Sequence, residues 1–184
     1  MNIKELPMLD FKPLSMMDLR SSPGDILDRV SRSGEAFIIE KNGEQKACLV
    51  PISVFFPDIK KDRLFEELEE LHKKGRDPKL QISESRDVEM SFLEDISSKK
   101  VTIKIVLPHG YPNAAPKIYA DPISDDAPHR WQDGSLCILG AMANWNPGKH
   151  NIAFVLDLSR KWMDHYYKWK STGKWPSGME PVDE

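Results

Sequence analysis

The hydrophobic period of the chain changes from helical to strand-like and back to helical, and this order constrains the fold more than any other feature. Residues 63–74 carry apolar side chains at helical spacing and end at Gly75, and 152–169 repeat a helical pattern rich in aromatic residues. Strand candidates lie between them at 87–93, 101–107 and 117–120. This order predicts an α+β domain in which an antiparallel meander packs against helices.

A smaller unit is predicted in the first sixty residues. Ser15 and Asp18 have the spacing of a helix start, and Ser22-Pro23 gives a second start with proline at the first helical position. Two strand-like runs, 36–40 and 44–51, flank an Asn42-Gly43 turn, which indicates a β-hairpin. Two helices and a hairpin in about fifty residues leave too much apolar surface exposed for stability alone. Either the rest of the chain or a second copy must cover this surface; a second copy is the simpler cover, so we expect a homodimer.

Charge and length restrict the function classes. The 184 residues include 26 basic and 29 acidic side chains, a formal charge of -3, which excludes nucleic-acid binding by overall basic charge. Residues 1–60 carry eight basic and nine acidic side chains, so any DNA contact is expected to be local. No stretch approaches about 18 consecutive apolar residues and no signal sequence is evident, so we expect a cytoplasmic protein with no membrane partner.

The two cysteines are 89 positions apart, at 48 and 137, which is neither a disulfide framework nor the spacing of a zinc site. No metal and no cofactor are expected. Cys48 lies in a strand of apolar residues and is predicted to be buried. Cys137 follows a glycine turn inside the long irregular stretch 121–148, where it is either a packed side chain or a nucleophile whose thiolate needs exposure and nearby positive charge.

One family resemblance covers residues 11–56. It rests on Ser15, Arg20, 26–30, Gly34-Glu35, 37–39, Asn42-Gly43 and 47–51. This order resembles the prevent-host-death (Phd/YefM) antitoxin family. The resemblance implies a dimeric DNA-binding module that represses its own operon while a flexible tail occupies a toxin. Arg20 matches the family's arginine near the first helix, where DNA contact is expected. A dimerisation or docking element with weak DNA affinity is the alternative.

A second resemblance covers residues 62–170. It rests on Tyr111-Pro112, Pro116, His129, 134–139 and Trp145-Asn146-Pro147. These motifs resemble the ubiquitin-conjugating enzyme (UBC) fold, and the segment 162–176 is similar to bacterial members. The resemblance implies that Cys137 receives a ubiquitin-like modifier as a thioester from a cognate activating enzyme and passes it to an amine.

The chain departs from the family at the expected oxyanion donor. The family has His-Pro-Asn before the cysteine, whereas this chain has His129-Arg130-Trp131 and two residues fewer between the histidine and Cys137. Bacterial members often lack this asparagine. Candidates to replace it are Gln132, Asn144 and Asn146, and Asp133 is a candidate base for an incoming lysine.

These observations divide the chain into an antitoxin-like module at 1–60, a UBC-like domain at 61–176 and a flexible polar tail at 177–184. The favoured hypothesis is a bacterial conjugating protein with Cys137, His129, Asp133 and Asn146 as catalytic residues and Arg20 at a DNA-binding site. The alternative is a toxin–antitoxin autorepressor that binds operator DNA or a toxin and whose UBC-like domain only binds partners.

Overall fold

The chain forms two compact α+β units. A computed structural model describes residues 9–54, 61–83, 85, 87–139 and 145–176. The units comprise Met1–Pro57 and Asp58–Glu184. Asn144 and the tail 177–184 lie outside the described residues, so the expectations for them stay predictions.

The first unit contains three strands and two helices, followed by a 3-10 turn at Ile52–Val54. Their bounds are β1 Phe11–Ser15, α1 Met16–Ser21, α2 Pro23–Ser33, β2 Ala36–Lys41 and β3 Glu44–Leu49. β1 pairs in parallel with β2, and β2 pairs antiparallel with β3, so β2 is the central strand.

Local sequence signals explain these elements. The Ser15 side chain accepts a hydrogen bond from the Asp18 amide and caps α1, and Pro23 begins α2. Asn42 and Gly43 have φ angles of 55° and 77°, the left-handed conformation that a tight hairpin turn requires. The predicted two helices and hairpin are therefore confirmed.

Two features of this unit differ from the expectations. β1 was not predicted, because it is short, contains Pro13 and pairs with β2 far along the chain. It brings Leu14 into a small core with Ile26, Val30 and Phe37. The predicted burial of Cys48 is wrong: the side chain is exposed, because β3 is an edge strand whose outer residues are not covered within this unit.

The second unit contains a four-stranded sheet, whose strands follow one helix and precede another in the sequence. Its elements are α3 Lys61–Lys73, β4 Lys79–Ile82, β5 Val88–Ile96, β6 Lys99–Leu107, β7 Lys117–Asp121 and α4 Ile152–Thr172. The strands pair antiparallel in the order β4-β5-β6-β7, which confirms the predicted meander. β4 was not predicted, because its four residues are all exposed and show no alternation of burial.

The core of the second unit lies where one face of β5 and β6 meets α4. Val101, Ile103, Ile105 and Leu107 of β6 are fully buried at every second position. Trp162 and Met163 are fully buried on α4, so the predicted C-terminal helix and its core role are confirmed. Within the part of the chain that the structure describes, no helix has the length and apolar character needed to cross a bilayer.

A buried glutamate joins three parts of this unit. The Glu67 carboxylate on α3 accepts hydrogen bonds from the Tyr111 hydroxyl at 2.7 Å and from the Ile152 amide at 2.7 Å, and it pairs with Arg63. Burial and the neighbouring carboxylate raise the pKa of Tyr111 well above its usual value. Glu67 therefore fixes the start of α4 relative to α3 and to the loop that carries Tyr111.

Candidate active site

Cys137 lies in a short hairpin of residues 129–137, which we call the cysteine hairpin. Its two arms are held by backbone hydrogen bonds from Cys137 N to His129 O (2.9 Å) and from Trp131 N to Ser135 O (2.8 Å). Leu136 is buried, and its amide donates to the Ile118 carbonyl of β7 at 2.7 Å. The hairpin is therefore anchored to the sheet edge directly beside Cys137, whose side chain is partly buried.

The His129 carbonyl holds the backbone amide of Cys137 in place. The φ angle of His129, 56°, lies in the left-handed region, which is uncommon for a residue other than glycine. In this conformation its carbonyl accepts hydrogen bonds from the Cys137 amide and from Nε1 of Trp162 (3.2 Å). The imidazole packs against the Trp175 ring, with 4.8 Å between ring centroids.

Arg130 closes the turn of the cysteine hairpin. Its Nε donates to the Gly134 carbonyl and its Nη1 to the Ser124 carbonyl, both at 3.3 Å. Gly134 has a φ angle of 82°, and a Cβ there would lie 3.1 Å from the Arg130 guanidinium. The positive φ angle favours glycine at this position, and a larger side chain would require the Arg130 guanidinium to shift. The guanidinium also supplies positive charge within the hairpin that carries Cys137.

Asp133 is tied into the turn that precedes the cysteine. One carboxylate oxygen accepts from Lys117 Nζ at 2.8 Å, and the other accepts from the amide and hydroxyl of Ser135 at 3.0 and 2.6 Å. The hydrogen bond from Lys117, followed by those from Ser135, holds the pKa of the Asp133 carboxyl well below its usual range. A carboxylate with so low a pKa is a weak proton acceptor, so this geometry favours a structural role over the predicted role as a base.

A mostly apolar groove of about 500 Å³ adjoins the cysteine hairpin. Its walls come from the start of β7, from the turn of the hairpin and from the residues on both sides of Cys137; they include Ala115, Pro116, Trp131, Leu136, Ile138 and Leu139. The Trp131 side chain is 46% exposed, an unusual amount for a large aromatic side chain. The volume and lining suit a short peptide segment or a small apolar group.

Asn146 does not reach toward other predicted site residues through its hydrogen bonds. Its Oδ1 accepts from the Gly148 amide at 2.9 Å, and its backbone amide donates to Nδ1 of His150 at 3.1 Å. The side chain thus caps the turn before α4. Gln132 is exposed and lines the groove beside the cysteine hairpin.

The Tyr111-Pro112 and Trp145-Asn146-Pro147 motifs meet at a buried corner. Nε1 of Trp145 donates to the Pro112 carbonyl at 2.6 Å, and the Trp145 and Tyr111 rings lie 6.0 Å apart. Because Tyr111 also binds Glu67, this corner is continuous with the contact between α3 and α4. The interpretation of Trp145-Asn146-Pro147 as a hydrophobic corner before the last helix agrees with this packing.

Arg20, the predicted DNA contact, is exposed in the last turn of α1 within the first unit. The structure thus brings together His129, Asp133 and Cys137 in one hairpin but holds Asn146 in a separate turn. Sequence reasoning missed the roles of Lys117, Trp162 and Trp175, which act on the hairpin from β7, from α4 and from the segment after α4. The only sequence signal for Trp175 was its place in the stretch similar to bacterial UBC members.

Among the described residues, no group of three or more His, Cys, Asp or Glu side chains is arranged to hold a metal ion. The groups that this site presents are a partly buried thiol in a hairpin fixed by backbone hydrogen bonds, a guanidinium in the same hairpin and an apolar groove beside it.

Comparison with known families points to the same part of the chain. Residues 96–182 match the sequence model of a family described as "Type II CBASS E2 protein". The match begins at the end of β5 and includes the cysteine hairpin, the Trp145 corner and all of α4. No curated protein matches the chain. The matched region is thus similar to E2 proteins, and the α+β architecture of the second unit is compatible with a UBC-like fold.

Proposed function

We propose that the second unit is a bacterial E2-like protein of a CBASS anti-phage signalling system and that it carries a ubiquitin-like modifier on Cys137. The observation that carries this proposal is the cysteine hairpin itself. It holds the Cys137 backbone by a hydrogen bond to His129, carries the Arg130 guanidinium in the same hairpin, and has an apolar groove lined by the residues on both sides of Cys137. The hairpin lies inside the region that matches an E2 family. A packed structural cysteine needs neither the groove nor the hairpin.

The proposed reaction is a transfer between thioesters. The Cys137 thiolate attacks the carbonyl of the modifier's C-terminal residue, which is held as a thioester on the activating enzyme. The new Cys137 S–C bond forms as the S–C bond to the activating enzyme breaks, and the enzyme's thiolate leaves. An amine of the acceptor then attacks the same carbonyl, an amide forms, and Cys137 leaves as a thiolate while the amine loses a proton to solvent or a base.

The departure from the His-Pro-Asn motif has a simple positional consequence. With two residues missing, the position eight residues before Cys137, where the motif has its asparagine, is occupied by His129. We infer that His129 acts through its backbone, because its carbonyl binds the Cys137 amide while its ring packs on Trp175. Asp133 then serves the transfer by fixing the hairpin turn, and Arg130 by its charge.

The apolar groove is the surface that we propose for the protein segment that meets the thioester. It adjoins the cysteine hairpin, and its two charged side chains, Lys117 and Asp133, are paired with each other. A groove without net charge favours an extended segment with small or apolar side chains over a charged one. Trp131, at the exposed edge of the groove, is the expected anchor.

The first unit is proposed as a separate module for dimerisation or DNA binding. Exposed apolar side chains on its helices, Met17 at 79% and Leu27 at 55%, and the open edge of β3 support a surface that a second copy covers. Arg20 on α1 is the proposed DNA contact. An autorepressor that binds operator DNA or a toxin remains the second candidate, favoured by this division into two compact units.

A trapping experiment tests the thioester proposal. A Cys137→Ser chain expressed in its host with its neighbouring genes should retain the modifier as an oxyester that resists thiols but is cleaved by hydroxylamine. Peptide mass spectrometry should find the modifier's C-terminal residue joined to position 137. The matched control, Cys48→Ser, changes the exposed cysteine and should form only a thiol-sensitive adduct. A Cys137→Ser chain with no adduct at position 137 contradicts the proposal.

A further inference from the structure

The chain folds back after α4 and places a tryptophan on the cysteine hairpin. Gly173 caps the end of α4: its φ angle of 71° reverses the chain direction, and its amide donates to the Trp169 carbonyl at 2.7 Å. The amide of Lys174 donates to Oγ1 of Thr172 at 3.3 Å. These contacts direct the next residue, Trp175, back along the helix.

Trp175 lies in a cage of three rings. Its ring centroid is 4.8 Å from His129, 5.2 Å from Trp162 and 6.0 Å from His165. Trp162 is fully buried on α4 and lies one helical turn before His165, so the helix provides two sides of the cage and the cysteine hairpin the third. Among the described residues, the buried Nε1 of Trp175 has no hydrogen-bond partner, and the observed side-chain contacts of Trp175 are these three ring contacts.

Both residues that hold His129 belong to this C-terminal region. Trp162 binds the His129 carbonyl through its indole N–H, and Trp175 covers the imidazole. The same carbonyl accepts from the Cys137 amide. Because His129 is in the uncommon left-handed conformation, its surroundings must maintain that conformation, and the carbonyl direction depends on it.

We infer that Trp175 is a positioning residue for Cys137: the segment after α4 acts as a strap that keeps the His129 carbonyl directed at the cysteine amide. The inference deepens the proposed function, since it explains how a residue 38 positions beyond the cysteine sets the conformation of the reacting thiol. Trp175 makes no contact with substrate in this role and acts through His129.

The test uses the full chain carrying Cys48→Ser, so that Cys137 is its one thiol. Hydrogen exchange at the Cys137 amide and the pH-rate profile of alkylation by iodoacetamide are measured for this parent, for Trp175→Ala and for Trp175→Phe. Neither measurement needs the modifier or its activating enzyme, so a failure here is distinguishable from a failure of the proposed function.

Trp175→Ala should exchange the Cys137 amide about tenfold faster and alkylate faster, with the amides of β5 and β6 unchanged. Trp175→Phe should match the parent, because the aromatic packing is kept. Where Trp175→Ala does not fold, Trp175→Leu is read in the same way. Two results overturn the inference: exchange and alkylation identical to the parent, or faster exchange to the same extent at Cys137 and in β5 and β6, which indicates general destabilisation.

Discussion

The amide of Cys137 donates a 2.9 Å hydrogen bond to the carbonyl of His129, eight residues earlier in the chain. This single contact joins the two arms of the cysteine hairpin next to the thiol. It also links the thiol to α4, because Trp162 donates to the same carbonyl. The conformation of the candidate nucleophile thus depends on the sheet edge through Leu136 and on the last helix through His129.

The role of the groove is tested by Trp131→Ala. Removing the exposed indole takes away the expected anchor and should lower the rate of modifier transfer at subsaturating partner concentration about tenfold. Alkylation of Cys137 by iodoacetamide should be unchanged, because the backbone of Trp131 and not its ring holds the hairpin. Leu93→Ala is the matched control, since Leu93 is 72% exposed on β5 and does not line the groove. Equal rates in both variants would contradict a recognition role for Trp131.

Asp133 is predicted not to titrate in the range where the thiol reacts. Its pKa is lowered by Lys117 and Ser135, so its stabilising contribution is complete above its unfolded pKa of about 3.9 and is lost as pH falls through the folded value. The pH-rate profiles of Cys137 alkylation in Cys48→Ser chains with and without Asp133→Asn should therefore have the same shape from about pH 5 to 9. An inflection that disappears with Asp133→Asn would identify Asp133 as a base.

Asp133→Asn should lower the free energy of unfolding only slightly. Lys117 and Asp133 are both more than a third exposed, and pairs of this kind contribute about 0.2–1 kcal/mol. Urea unfolding of Asp133→Asn at neutral pH measures the loss of free energy. A loss of several kcal/mol would mean that the turn stabilises the whole second unit and not only the hairpin.

Glu67 is expected to matter far more for stability. Glu67→Ala leaves the Tyr111 hydroxyl and the Ile152 amide without their acceptor and should cost about 3 kcal/mol in the free energy of unfolding. Tyr111→Phe removes only one donor, keeps the ring and should cost about 1 kcal/mol. Urea unfolding compares the two. A smaller loss for Glu67→Ala than for Tyr111→Phe would contradict the view that Glu67 joins three parts of the unit.

Glu35 gives the first unit an acid-sensitive contact. Hydrogen bonds from Arg29 and then Lys12 lower its pKa from 4.5 to about 2. Because the folded pKa is depressed, the stabilisation is present above the unfolded value and is lost as pH falls through about 2. Glu35→Gln should therefore reduce stability at neutral pH, with an effect that shrinks as pH falls below 4.5 and disappears below about pH 2. A carboxyl ¹³C titration of Glu35 with a midpoint near 4.5 would contradict the ion pairs.

Local signals predicted the elements whose causes are local. Asn42-Gly43 specifies its own turn, Ser15 its own cap, and the alternating residues of β6 their own strand. β1 and β4 escaped prediction because each is stabilised by pairing with a longer strand and not by its own pattern. Cys48 was predicted to be buried because its apolar neighbours are typical of a buried strand. Burial of a strand depends on its position in the sheet, and β3 is an edge strand, so Cys48 is exposed.

The candidate site was predictable only where its residues are close together in the sequence. The glycine turn and motif spacing identified Cys137, and sequence proximity placed His129 and Asp133 near it. The positions of Lys117 on β7 and Trp175 beyond α4 depend on how the hairpin packs against the sheet and the helix. No local period encodes such contacts, since they join residues far apart in the sequence.

The most direct test of the central proposal is the intact mass of the purified Cys48→Ser chain after incubation with the modifier, its activating enzyme and ATP. The proposal predicts a gain equal to the modifier's mass minus one water, with loss of the adduct on treatment with dithiothreitol. Adding Cys137→Ala should abolish the gain. No gain in the Cys48→Ser chain, or the same thiol-sensitive gain after Cys137→Ala, would contradict the assignment of Cys137 as the residue that carries the modifier.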